Sequence, residues 1–375
     1  MKFFTVAIVL VFSLVQLSCA SAIMLYDKDQ LKVYQQEALD RLYDCGYLDS
    51  QISAEMAYSQ ISIPLENEYM SSSVLIDDTV YISGVSGIFE VSTNGDYTCY
   101  PYRDSDGKTN DFIVRLLNTD GELWAYVQRK DGILGKEIET CYYARVSLYN
   151  GYIKLEKIQE IAAELYKLPI DGEVGEQMYA YYQDGKVYSI DRVSEEPRAE
   201  SLIEIDISNG CGREVCRIPA VMSVIPYDQN KALVLNASLI TFGSLGPTYL
   251  SFWENFEAAT GLGRCDRGLM FVDLKDGEIS LVWGFDTVIH EQAAQASGFA
   301  YDADSDRIYY GYKGELHCMY GLNPATDMVI APAPGNYLRF SADWCTSFIT
   351  SDGYYVTVIP YVGVDIIPIV EQGNE

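Results

Sequence analysis

The sequence predicts an all-β protein made of six four-stranded units arranged in a ring. Three observations carry that reading. The segments IDDTVYIS, NTDGELWAYV, YQDGKVYSID, YDQNKALVLN, DSDRIYYGY and TSDGYYVTV each set a polar turn before an apolar, often tyrosine-bearing strand. Their turn markers, Asp78, Asp120, Asp184, Gln229, Ser305 and Asp352, are spaced 42, 64, 45, 76 and 47 residues apart, and three of those intervals match the length of one four-stranded unit. Finally, the last unit runs out of chain: after TSFITS, YYVTVIPY and VGVDIIPIV only EQGNE remains, so its fourth strand must come from elsewhere. Each unit buries its faces against its neighbours and ring closure removes most free edges, which together define a six-bladed β-propeller over residues 61–375.

The first 22 residues, MKFFTVAIVLVFSLVQLSCASA, set Lys2 before an apolar run from Phe3 to Val15 and end on Ala20-Ser21-Ala22. That order is a secretory signal peptide cut after Ala22. Cys19 in LSC offers a rival, a lipid anchor, although Gln16 and Leu17 fit a lipobox poorly. Residues 23–60 form a helical N-terminal segment: in DKDQLKVYQQEALDRLYDCG, Leu31, Tyr34, Ala38 and Leu42 share one face, with Asp27 as cap and Gly46 as stop.

From Ile61 onward the texture becomes short strands and tight turns. QISIPLENEY, just before the first unit, is the natural donor of the missing strand in the last one. The first unit divides into SVLI, TVYIS, GIFEVS and YTCYPY, and the third into QMYAYYQ, KVYSID, SLIEIDIS and REVCRIP. Alternation is short and turn signals are closely spaced. The two long intervals have visible causes. One holds RKDGILGKEIETC and a candidate helix, LEKIQEIAAELYKL; the other holds a stretch from Leu239 to Asp266 without strand alternation. Near the C-terminus, YYVTVIPYVGVDIIPIV carries Pro360, Asp365 and Pro368, which suit an edge or terminal strand better than a lipid-facing helix.

YDADSDRIYYGY and YQDGKVYSIDR, with SLIEIDISNGCGREVCRI, resemble the strand pairs of exported bacterial propellers and of YWTD-type receptor propellers. The resemblance covers roughly residues 61 to 370 as a texture. It implies a fold and no particular activity.

The formal net charge of −28 disfavours nucleic acid and anionic membrane surfaces as partners. Protein and carbohydrate ligands remain, with membrane attachment only through the rival anchor at Cys19; the location is extracytoplasmic, secreted or at the cell surface. Cys211 and Cys216 in NGCGREVCR are the one local disulfide candidate, weighed against free thiols packed as small hydrophobes. No zinc pattern or phosphate loop is present, so neither metal nor cofactor is expected.

Asp302, Asp304 and Asp306 alternate as in a calcium loop. Counted from Asp302, however, Arg307 and Lys313 occupy the sixth and twelfth places, where such a loop needs glycine and a bidentate acid. A hairpin turn explains the spacing better, and the same holds for Asp104 and Asp106. His317 reads as a satisfied strand histidine, and His290 lies in a loop without a partnering serine motif. The insertion is the most distinctive feature: Phe242, Tyr249, Phe252, Trp253 and Phe256 make an aromatic group, and a short helix opened by Pro247 would align Leu250, Trp253 and Phe256. These five aromatics are the candidate binding residues, as a platform for a sugar ring or an apolar partner; the alternative is a buried cover for one end of the ring. Trp124 and Trp283 read as core. Catalytic residues are not identifiable. The leading function is non-catalytic ligand or partner binding, the runner-up is a carbohydrate-active enzyme with axial carboxylates, and a purely structural surface protein is a third class.

Overall fold

A computed structural model describes residues 61–65, 70, 72–84, 86–102, 111–130, 138–149, 151–162, 180–195, 198–218, 221–236, 267–285, 297–312, 315–332, 346–359 and 363–369. The expected signal peptide, the expected helical segment over residues 23–60, and the insertion with its five aromatics lie outside the described residues.

The described strands form six four-stranded antiparallel sheets. Blade 1 holds β2 (Ser72–Ile76), β3 (Thr79–Ser83), β4 (Gly87–Ser92) and β5 (Tyr97–Pro101). Blade 2 holds β6 (Asp111–Thr119), β7 (Glu122–Lys130), β8 (Ile138–Tyr149) and β9 (Tyr152–Glu160), and blade 3 holds β10 (Ala180–Gln183), β11 (Lys186–Glu195), β12 (Arg198–Asp206) and β13 (Gly212–Ile218). Blade 4 holds β14 (Val221–Pro226), β15 (Lys231–Asn236), β16 (Arg267–Asp273) and β17 (Ile279–Phe285). Blade 5 holds β18 (Ser297–Asp302), β19 (Arg307–Tyr312), β20 (Glu315–Tyr320) and β21 (Met328–Pro332). Blade 6 holds β22 (Thr346–Ile349), β23 (Tyr354–Ile359) and β24 (Gly363–Pro368), and its outer strand is β1 (Ile61–Pro64). The first strands of successive blades touch one another in an unbroken cycle, β2–β6–β10–β14–β18–β22–β2, so they line the axis.

All six sequence markers fall on the turn between the first and second strand of a blade. Three of these, Asp77-Asp78, Asp120-Gly121 and Asp184-Gly185, have positive φ at both positions (47° and 59°, 54° and 87°, 50° and 78°), the two-residue turn that matches strand twist. First–second and third–fourth turns emerge at one end of the ring, and the other connections at the opposite end. The β1 donor is also in place: Ile61, Ser62, Ile63 and Pro64 pair with Ile366, Asp365, Val364 and Gly363. Because β1 covers β24, the C-terminal strand is interior rather than an edge, and Asp365 is fully buried.

The period-2 alternation of each strand serves two neighbours at once. On β7, Leu123, Ala125 and Val127 pack toward blade 1, while Trp124 and Tyr126 pack toward blade 3. The cores are therefore the seams between blades: Val80, Ile82, Phe89 and Val91 meet Ile63, Val356, Val358, Val364 and Ile366 where the ring closes. Burying such side chains contributes about 1.5–3 kcal/mol each.

The candidate helix over residues 155–168 is corrected in its first part, since residues 155–160 belong to β9; residues 163–168 lie outside the described residues. That strand pairs with β8 from Tyr149↔Tyr152 to Tyr142↔Glu160, and its charged residues stand on the open outer edge, where they discourage pairing with another chain. Sheet pairing overrides the helical propensity of its Leu, Lys and Glu. No helix among the described residues is long and apolar enough to cross a membrane.

Candidate functional site

A groove of about 690 Å³ opens at the tight-turn end of the seam between blades 2 and 3. Blade 2 contributes Thr119, Asp120, Glu122 and Trp124; blade 3 contributes Tyr182, Asp184, Lys186 and the third–fourth turn at Asp206. Its two aromatic walls follow from strand parity, since Trp124 faces blade 3 and Tyr182 faces blade 2. Beneath them Leu117, Tyr126, Tyr143, Val187, Ile203 and Ile205 close the seam, and deeper still the buried Arg115 donates from Nη1 to Ser189 Oγ across it (2.9 Å). The walls therefore stand on a packed floor.

The turn residues meet across the opening. Tyr182 donates its hydroxyl proton to Asp120 Oδ2 (3.3 Å). Trp124 Nε1–H donates to Glu122 Oε2 (3.0 Å), and Arg145 Nη2 lies 3.0 Å from the same oxygen. These contacts hold the Glu122 carboxyl below its ordinary value. Asp206 is likewise lowered, by the side chain and backbone N–H of Ser208 (2.6 and 2.8 Å) and by Asn209. Lys186 is turned to Glu204 (3.0 Å), which Arg213 also reaches (3.1 Å). The groove thus carries four carboxylates against one lysine that is already engaged.

The six axial strands carry only two carboxylates among the described residues, Asp111 and Asp302. Asp111 opens β6 at one end of the ring, in a bidentate pair with Arg129 (2.7 and 2.9 Å). Asp302 closes β18 at the other end, inside a turn. They do not converge.

Of the residues singled out from sequence, Phe242, Tyr249, Phe252, Trp253 and Phe256, together with His290, Asp104 and Asp106, lie outside the described residues. The insertion that holds the five aromatics is the sequence between β15 and β16, a second–third connection. Asp302, Asp304 and Asp306 form the β18–β19 turn: Asp302 Oδ1 accepts from Asp304 N (3.1 Å), Asp302 Oδ2 accepts from the Ser305 hydroxyl, and Tyr301 donates to Asp306 Oδ1 (2.9 Å). His317 sits on β20, buried, with Nδ1 3.0 Å from Asp327 Oδ2 and its ring stacked on Tyr310. Cys211 and Cys216 do not bridge: Cys211 is exposed before β13, and Cys216 is a free thiol within it, pushed up to about 12 by burial. An extended strand separates the pair too far for a disulfide. Trp124 is corrected from core residue to half-buried groove wall, because it stands near the start of β7, where the seam opens into the groove. From sequence alone Asp120 and Asp184 read only as turn formers. The available signal was an Asp-Gly turn repeated in adjacent units with aromatics close on either side.

The architecture defines a β-propeller. No family model matches the chain, and no curated protein matches it. Among solved structures, an extracellular domain ascribed to a hybrid two-component system of B. thetaiotaomicron is 9% identical, with a TM-score of 0.40, covering 84% of this chain; this chain spans about a third (34%) of that one. An oligogalacturonate lyase from Vibrio parahaemolyticus is 12% identical with a TM-score of 0.42, covering 83% of this chain and 92% of that one. A nidogen/laminin complex gives 8% identity and a TM-score of 0.42, covering 75% of this chain and 84% of that one. None of these likenesses bears on activity.

Proposed function

We propose that the protein is an exported, non-catalytic binding module whose ligand enters the groove between blades 2 and 3. Export rests on the leader-like first 22 residues. The observation that carries the binding reading is the groove itself: it is open, has the volume of a ligand site, and is walled by an aromatic ring from each blade over a rigid seam. Acid–base cleavage of a glycosidic bond requires one carboxyl held protonated near neutral pH. The groove carboxyls with a clear shift, Glu122 and Asp206, both move the other way, and the two axial acids stand at opposite ends of the ring. The aromatic insertion between β15 and β16 is a second candidate surface.

The test is an array of glycans and exported proteins probed with the full mature chain, run beside a turnover assay on the same glycans. Binding without turnover, weakened by Trp124→Ala, is the outcome this reading demands. Release of reducing ends or unsaturated sugars would overturn it.

A further inference from the structure

We infer that the groove docks a partner protein through an arginine-bearing segment, with one guanidinium seated between Trp124 and Tyr182. This deepens the binding-module reading and rests on it. The argument is complementarity of charge and shape. Asp120, Glu122, Asp184 and Asp206 line the groove, and the lysine among them points its ammonium at Glu204. The chain as a whole, at −28, adds to the attraction rather than opposing it.

The aromatic walls decide between cations. Trp124 spends its indole N–H on Glu122 and lines the groove beside that carboxylate, so its ring enters the site without a free donor. A planar guanidinium can stack on that ring while its N–H groups fork onto carboxylate oxygens; an ammonium offers only a point charge. Across the groove, Tyr182 directs its hydroxyl at Asp120 Oδ2. Asp184 has no hydrogen-bond or ion-pair partner among the described residues and stands exposed at the tip of its turn, placed to receive the guanidinium. Lys186 and Arg145 remain on Glu204 and Glu122, so neither competes for it.

The probe is hexa-arginine, titrated calorimetrically into the full mature chain at low and moderate salt, beside hexa-lysine of equal charge. Asp120→Asn/Asp184→Asn removes groove charge while asparagine still tolerates the positive φ of both turns. Glu278→Gln/Asp304→Asn removes the same charge from exposed turns of blades 4 and 5. Hexa-arginine should bind more tightly than hexa-lysine, and the groove pair and Trp124→Ala should each weaken it by about tenfold, with the remote pair within about twofold of wild type. Thermal melting of every variant checks that the fold is kept. Equal weakening by both double variants, equal affinity for the two peptides, or no binding would overturn the inference. If hexa-arginine fails while the array identifies a glycan that binds without turnover, only this inference falls; turnover would remove the module reading with it.

Discussion

Gly210 tests whether the seam between blades 2 and 3 is as tightly closed as its packing implies. It lies in the β12–β13 turn at φ 71°, with its carbonyl accepting from Ala162 N (2.9 Å) across the seam. A Cβ added there would stand 2.0 Å from the carbonyl oxygen of Glu160, at the end of β9. Ordinary contact between carbon and oxygen is about 3.3 Å or more, so the turn must retreat by about 1.3 Å. Gly121 supplies the control, because at φ 87° it has the same conformational demand but meets nothing within 4 Å. Gly121→Ala should therefore cost only the left-handed backbone term, about 1–2 kcal/mol. Gly210→Ala adds overpacking of about 1–3 kcal/mol and the cross-seam hydrogen bond, worth about 1 kcal/mol, for a total of about 3–6 kcal/mol. Equilibrium urea unfolding followed by tryptophan fluorescence reads both, and Trp124 reports directly from this seam. If the two variants lose the same stability to within about 1 kcal/mol, blade 3 does not bear on blade 2 through this turn, and the rigidity ascribed to the groove floor is wrong.

Three further outcomes follow. Ile63→Asp puts a charge into the closing core, where Ile63 is 5% exposed, and should cost about 3 kcal/mol or more in the same urea experiment, against less than about 0.5 kcal/mol for Glu156→Gln on an open edge. Desolvation would raise the Asp111 carboxyl, but its hydrogen bonds to Arg129, the Tyr142 hydroxyl and nearby positive charge outweigh it and hold the value below 3.8. The contribution of that pair is thus complete above pH about 4 and fades as pH falls through the lower folded value; Asp111→Asn should lose up to about 1 kcal/mol at pH 7 and show a shallower acid loss below about pH 4. Maleimide labelling of the native chain with peptide mapping should modify Cys211 well before Cys216, which burial keeps protonated; equal rates would contradict the placement of β13.

The ring was legible because its information is local and repeated. Each Asp-Gly or Asp-rich turn is readable without tertiary knowledge, and a truncated last unit requires a donor, which β1 supplies. What sequence hid depends on pairing. Residues 155–160 have helix-forming composition and become a strand only because β8 offers a free edge. Trp124 reads as core along its own strand; that its face ends at an open seam is decided by where blade 3 stops. The groove escaped for the same reason: Asp120 and Tyr182 are 62 residues apart, and only the rotation from one blade to the next brings them within hydrogen-bonding reach.

The pairing of Ile61 with Ile366 has a consequence for biogenesis. During synthesis the outer strand of blade 6 emerges before any other part of the wheel, and it must wait for nearly the whole ring to be made. Its backbone donors and acceptors stay available throughout that delay. Crowded nascent chains can therefore exchange this strand between copies, and slow, dilute folding favours the monomeric wheel.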